Sequence, residues 1–127
     1  MRTRNAIRAA AVPFPDRLIE QLPATEKRPA ADFVAWYHYA QRLLATTDDY
    51  EWMVVELMYE GSLWVVHGRL IVEDGKPKDG IGHDATDPKA AESDAFKRAA
   101  AKWAYGLHLW AGADYWLEAS LEKDTPG

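Results

Sequence analysis

The stretch WMVVELMYEGSLWVVHGRLIV, residues 52–72, decides the fold. Two runs rich in Val, Leu, Met and aromatic residues, Trp52 to Tyr59 and Leu63 to Val72, flank a short segment that contains glycine. Such a pattern predicts an antiparallel β-hairpin. The apolar residues of the second run alternate with His67 and Arg69, so we expect one buried face and one face at least partly in water.

A third strand and a helix follow the hairpin. A turn at residues 74–77 precedes a predicted strand from Lys78 to His83, in which Gly80 and Gly82 favour a bulge or a close backbone approach. Asp87-Pro88 then predicts a helix start, with a capping residue followed by proline at the first helical position. This helix is expected to end at a C-terminal cap on Gly106, and a last short helix is predicted within residues 110–121.

The part before the hairpin predicts two helices. Residues 16–22 have helical spacing, and a helix of about 14 residues is expected from an N-cap at Asp32. Its expected apolar stripe consists of Phe33, Trp36, Tyr37, Ala40, Leu43 and Leu44. His38 and Tyr39 lie off this stripe and are expected to face solvent or a neighbour. The predicted order α, α, β, β, β, α, α indicates an α+β domain with helices packed on a small antiparallel sheet.

Length and composition favour a single globular domain. The chain has 127 residues, of which 48% are hydrophobic, and this suits one hydrophobic core. We expect a flexible basic arm at residues 1–12, one domain at 13–121 and a short acidic tail at 122–127. The absence of Cys excludes a Cys-ligated metal and a Cys nucleophile. No apolar run is long enough to span a bilayer, and a cytoplasmic location is expected.

Several classes of activity are disfavoured. No His-x-x-x-His or similar ligand spacing predicts a metal site, and no Gly-x-x-x-x-Gly-Lys-Ser/Thr motif predicts an ATP-driven enzyme. With 15 Lys plus Arg against 20 Asp plus Glu, the net charge of −5 argues against nucleic-acid binding unless the basic residues are gathered in one place.

Such a gathering is predicted on the helix after the third strand. Lys97, Arg98 and Lys102 span about 140° of the helix beside its apolar stripe. An ordinary structural interpretation is equally available, in which Asp94 pairs with Arg98 at i+4 and the ridge is only solvated.

The segment KAAESDAFKRAA, residues 89–100, followed by GLHLW at 106–110, resembles the signature helix of the Rad-fifty-two superfamily of single-strand annealing proteins. The resemblance extends back to Phe33-Val34, to Tyr50-Glu51-Trp52 and to the glycine loop at 79–82, which come in the order of that family. It covers roughly residues 13–110.

The resemblance implies a β-β-β-α core that assembles head-to-tail into a ring, with single-stranded DNA in a basic groove and its bases exposed. Lys97 and Arg98 match the paired basic residues of the family that hold phosphates, and Phe33 matches an aromatic position near the groove. The next basic position of the family falls on Ala101, and Lys102 follows it. Lys27 or Arg28 is the candidate for a basic residue upstream of the first core helix.

The sequence therefore predicts an ATP-independent protein that binds single-stranded DNA and anneals complementary strands in recombination and repair, in a bacterial or phage-infected cell. Lys97 and Arg98 would hold phosphates, assisted by Lys102 and Arg28, with no cofactor, no metal and no bond-making chemistry. The expected partners are single-stranded DNA, further copies of the chain and a replication or single-strand-binding protein. Two alternatives stay open, a coat that protects single-stranded ends and an oligomeric scaffold that recruits repair proteins through its acidic tail.

Overall fold

The computed structural model describes residues 4–26 and 29–123, and it has an α+β fold, as predicted. Residues 1–3 belong to the predicted arm and residues 124–127 to the predicted tail. Both ranges lie outside the described residues. The helices are α1 (Arg4–Ala11), α2 (Trp36–Thr46), α3 (Pro88–Ala101), α4 (Leu107–Ala111) and α5 (Leu117–Lys123). The strands are β1 (Glu20–Leu22), β2 (Ala31–Phe33), β3 (Tyr50–Glu60), β4 (Leu63–Val72) and β5 (Lys78–Asp84).

The main sheet confirms the predicted hairpin and third strand. Its order is β3-β4-β5, and both pairings are antiparallel. Gly61 and Ser62 both have positive φ angles, 60° and 66°, as the tightest hairpin turns require. A bulge interrupts the β3–β4 register between Val54 and Glu56. Val66 is buried and His67 is half-buried, so β4 alternates as predicted.

Helix α3 covers one face of this sheet at very close range. A Cβ atom on Gly80 would lie 2.2 Å from the Ala95 carbonyl oxygen, and one on Gly82 would lie 2.3 Å from the Ala91 carbonyl oxygen. Glycine on the strand and alanine on the helix therefore let the two backbones touch, which confirms the predicted close approach. The Asp87 carboxylate accepts a hydrogen bond from the Lys89 N–H and caps α3, also as predicted.

The end of α3 differs from the prediction. The helix ends at Ala101, and a tight turn leads to Gly106, which stands immediately before α4 with a φ of 69°. A Cβ atom on Gly106 would meet the Tyr39 ring at 2.5 Å. The turn buries Tyr105, whose hydroxyl lies 2.7 Å from the Thr46 hydroxyl. Packing of this turn onto α2 therefore ends α3 earlier than the glycine signal indicates. The predicted last helix is in fact two short helices, α4 and α5.

The N-terminal region also differs from its prediction. Residues expected in a flexible arm form α1, whose Ala10 and Ala11 are buried in the core. The Arg8 guanidinium donates to the Leu121 carbonyl of α5 at 3.2 Å. An apolar face of α1 thus packs against α5.

The two predicted N-terminal helices are wrong in part. Residues 16–18 form a single 3₁₀ turn, and residues 20–22 form β1, which pairs with β2 in a second, two-stranded antiparallel sheet. Because Asp32 belongs to β2, α2 begins only at Trp36.

The buried face of α2 was also predicted wrongly. Tyr39, expected off the apolar face, is 1% exposed, whereas Leu44 is 68% exposed. Trp36 and Tyr37 are about half exposed. The Phe14 ring lies 4.9 Å from the Tyr39 ring, so contact with the segment after α1 decides which face of α2 is buried.

Within the part of the chain that the structure describes, every helix is too short or too polar to traverse a lipid bilayer.

Candidate nucleic-acid interface

The predicted basic residues of α3 point to two different sides of the helix. The Lys97 ammonium lies 5.5 Å from the centroid of the Phe33 ring on β2. The Arg98 guanidinium lies 4.7 Å from the centroid of the Trp110 ring on α4. The structure therefore places Phe33 next to Lys97, whereas the adjacent Arg98 contacts a different aromatic ring.

Lys97 lies in a partly apolar setting. Burial lowers the pKa of its ammonium, the neighbouring Arg98 lowers the pKa further, and Asp94 opposes both effects. The ring face of Phe33 provides favourable electrostatic contact with the retained charge. Lys97 is thus a partly desolvated cation, whose attraction to an anion is screened less than that of a surface lysine.

Arg98 makes the ion pair that the structural interpretation predicted. Its Nε atom lies 3.1 Å from a carboxylate oxygen of Asp94, one helical turn earlier. Asp94 also accepts a hydrogen bond from the His83 backbone N–H at 3.2 Å. Exposed pairs at this spacing contribute only about 0.3–0.5 kcal/mol. The pair orients Arg98 but is weak enough for a phosphate to compete with Asp94.

Lys102 lies at the end of α3, against β5. Its ammonium donates a hydrogen bond to the Asp79 carbonyl oxygen, and the side chain remains exposed. On the other face of the sheet, the Asp79 carboxylate accepts from Arg69 at 2.8 Å and lies 2.6 Å from His67. These two partners hold the pKa of Asp79 well below its usual range. That carboxylate is therefore engaged away from Lys102.

Two adjoining depressions, of about 650 and 410 Å³, form one surface between β5, α3 and α4. Both are lined by Ala101, Lys102 and Leu107, so they lie side by side on the surface. We call this surface the basic groove. Its charged lining residues are Lys76, Lys78, Arg98 and Lys102, with Asp74 as the acidic member.

Aromatic rings lie among these cations. The Lys78 ammonium is 4.9 Å from the centroid of the Trp103 ring, and Trp103 donates its indole N–H to the Leu70 carbonyl at 3.3 Å. Trp110 is 44% exposed at the other end of the groove. Cationic side chains interleaved with accessible rings are typical of surfaces that bind single-stranded nucleic acid.

The groove is lined by some of the residues that the sequence predicted for the site and not by others. Arg98 and Lys102 line it, whereas Lys97 and Phe33 lie beside it on another side of α3. Lys27 and Arg28 fall outside the described residues. Lys76 and Lys78 were not predicted as site residues. Trp110 had no local signal beyond its place in the resembling segment.

No group of three or more His, Asp or Glu side chains among residues 6–26 and 29–123 is placed to hold a metal ion.

Comparison with known proteins does not assign the chain to a family: no family model matches it, and no curated protein matches it significantly. The resemblance to the Rad-fifty-two superfamily thus remains a prediction from the sequence.

Proposed function

We propose that the protein binds single-stranded DNA along the basic groove and anneals complementary strands without ATP, acting by binding and not by bond-making chemistry. The observation that carries this proposal is that Lys76, Lys78, Lys102 and Arg98 line two adjoining depressions beside two tryptophan rings. Contacts of this kind are directed at phosphates and ring faces, and they leave the pairing edges of most bases free.

The net charge of −5 is compatible with this proposal. The Debye length is about 8 Å at physiological salt, so acidic residues remote from the groove have little effect on a bound strand. Asp74 lines the groove, and Asp94 pairs with the groove cation Arg98 at an exposed position.

Self-association is the second part of the proposal. The far end of the β3–β4 hairpin exposes six large apolar side chains, which we call the hairpin patch: Val54, Val55, Leu57, Met58, Tyr59 and Leu63, each at least 36% exposed. Monomeric proteins rarely leave so many large apolar side chains together in water. We propose that further copies of the chain cover this patch in a ring, within the cytoplasm of a bacterial or phage-infected cell.

Binding is tested by fluorescence anisotropy of a labelled oligonucleotide over a range of salt concentrations. Four phosphate contacts predict a slope of log K against log salt of about −2.8, and the Lys78→Ala/Lys102→Ala variant should reduce it to about −1.4. The matched control is Arg17→Ala/Lys123→Ala, which removes two charges from exposed positions outside the groove. Equal slopes for the two double variants would contradict the proposed groove.

Annealing is tested with two complementary oligonucleotides, each coated with protein before mixing, and no nucleotide present. Energy transfer between labels on the two strands should rise faster than for uncoated strands. Coating without faster pairing would instead indicate a protein that protects single-stranded ends.

Assembly is tested by native mass spectrometry of Leu57→Lys, with Leu44→Lys as the control because Leu44 is also strongly exposed but lies on α2. Only the Leu57→Lys variant should form smaller oligomers than wild type. A wild-type protein that is monomeric with and without DNA would contradict the proposed ring.

A further inference from the structure

A second depression lies on a different side of α3 from the basic groove. Its α3 residues, centred on Glu92 and Phe96, project about 120° away from Arg98 and Lys102 around the helix axis. Its volume is about 320 Å³, at the lower end of the range for small-molecule sites. We call it the aromatic cleft, and it is lined by Trp36, Tyr50, Trp52, Lys89, Glu92, Ser93 and Phe96.

Aromatic rings make up most of the cleft. Phe96 is buried, and the rings of Trp36 and Trp52 stand at 82° and 77° to it, with centroids 6.4 and 5.1 Å away. Trp36 is 50% exposed. The fold therefore leaves about half of Trp36 accessible to solvent beside the buried Phe96 ring.

Two polar features limit what the cleft can bind. The Trp52 indole N–H donates to a Glu92 carboxylate oxygen at 3.0 Å, which fixes the carboxylate at the cleft wall. A carboxylate has further lone pairs, so it can accept another hydrogen bond from a ligand. Lys89 lies at the same cleft and offsets the charge of Glu92. The lining is thus electrically balanced, which favours a flat, neutral ligand with a hydrogen-bond donor over a bare cation.

We infer that the aromatic cleft binds one unstacked nucleobase that carries an exocyclic amino group, such as cytosine. The base stacks on the Trp36 ring, its amino group donates to Glu92, and Lys89 contacts the adjoining phosphate. This inference rests on the proposed function, because it supplies a base-reading site for a strand held elsewhere through its phosphates. One base per protomer is engaged, so the other bases stay open to pairing.

The test compares anisotropy titrations of wild type and variants with three probes, a twelve-residue oligo-dC, the matching oligo-dT and an abasic oligomer of equal length. Trp36→Ala should weaken oligo-dC binding about 5- to 150-fold, the range for losing one stacked base, and should leave the salt slope unchanged. Trp36→Phe should retain most of the affinity. Glu92→Gln should reduce the ratio of the affinity for oligo-dC to the affinity for oligo-dT. Trp116→Ala is the control, because Trp116 is 69% exposed and lies outside the cleft lining.

The outcomes separate this inference from the proposed function. If Trp36→Ala and Trp116→Ala bind oligo-dC equally well while Lys78→Ala/Lys102→Ala still lowers the salt slope, the base site is refuted and the basic groove stands. If Trp36→Ala weakens the abasic oligomer as strongly as oligo-dC, the cleft does not recognise a base. If wild type binds none of the three probes, both proposals fail. Thermal unfolding of each variant shows that loss of binding does not come from loss of fold.

Discussion

Replacing Gly80 by alanine tests the contact on which the position of every basic residue of α3 depends. The new Cβ atom would lie 2.2 Å from the Ala95 carbonyl oxygen and 2.7 Å from the Ala99 amide nitrogen. Ordinary contact begins near 3.4 Å, so α3 would have to move by about 1 Å. Both obstructing atoms belong to the helix backbone, and a change of side-chain rotamer cannot remove the clash.

The expected cost is about 1–3 kcal/mol, typical of overpacking in a well-packed interior. Alanine is favoured over glycine by about 0.5–1 kcal/mol within a regular element, and this gain offsets part of the cost. In urea unfolding, the Gly80→Ala variant should have a lower midpoint concentration of urea than wild type and the same m value. The control is Ile81→Val, at the intervening residue, whose side chain is 61% exposed on the other face of the sheet. We expect it to change stability by less than about 0.5 kcal/mol.

A Gly80→Ala protein as stable as wild type would refute this reasoning, since it would mean that α3 does not touch β5 through its backbone. Gly82→Ala provides an independent repeat, because its Cβ atom would lie 2.3 Å from both the Ala91 carbonyl oxygen and the Ala95 amide nitrogen. The two substitutions should not be additive, because one shift of the helix relieves both clashes.

Two further predictions concern pH. Burial lowers the pKa of His108, so on acidification this side chain takes up a proton in the unfolded chain before it does so in the folded protein. The free energy of unfolding should therefore fall as the pH drops from about 7 to 5. The His108→Gln variant should show a smaller fall than the His83→Gln variant. Hydrogen bonds from Arg69 and His67 lower the pKa of Asp79, so its stabilisation is present above about pH 4 and is lost as the solution becomes more acidic. The Asp79→Asn variant should therefore be less stable than wild type near neutral pH, and it should lose less stability than wild type when the pH falls below 4. Urea midpoints across pH measure both effects, and parallel curves for variant and wild type would contradict them.

Local chemistry accounts for the parts of the fold that the sequence predicted. The β3–β4 hairpin follows from alternating apolar residues on each side of a glycine turn, and the start of α3 follows from Asp87 before a proline. The Asp94–Arg98 pair is equally local, because residues four apart are neighbours on any helix. Each of these signals is contained within a few residues, so no knowledge of the rest of the chain is needed to interpret it.

Tertiary structure decided the remainder. Strands β1 and β2 have three residues each, too few for a periodic pattern, and exist because they pair with each other. The buried face of α2 was set by contacts such as Phe14 on Tyr39, which no periodicity within the helix reveals. The basic groove likewise needs the β4–β5 turn and α4 to meet α3, and the aromatic cleft needs α2, β3 and α3 together. Such surfaces depend on long-range packing, whereas the spacing of residues along the chain predicts only the properties of a single helix or strand.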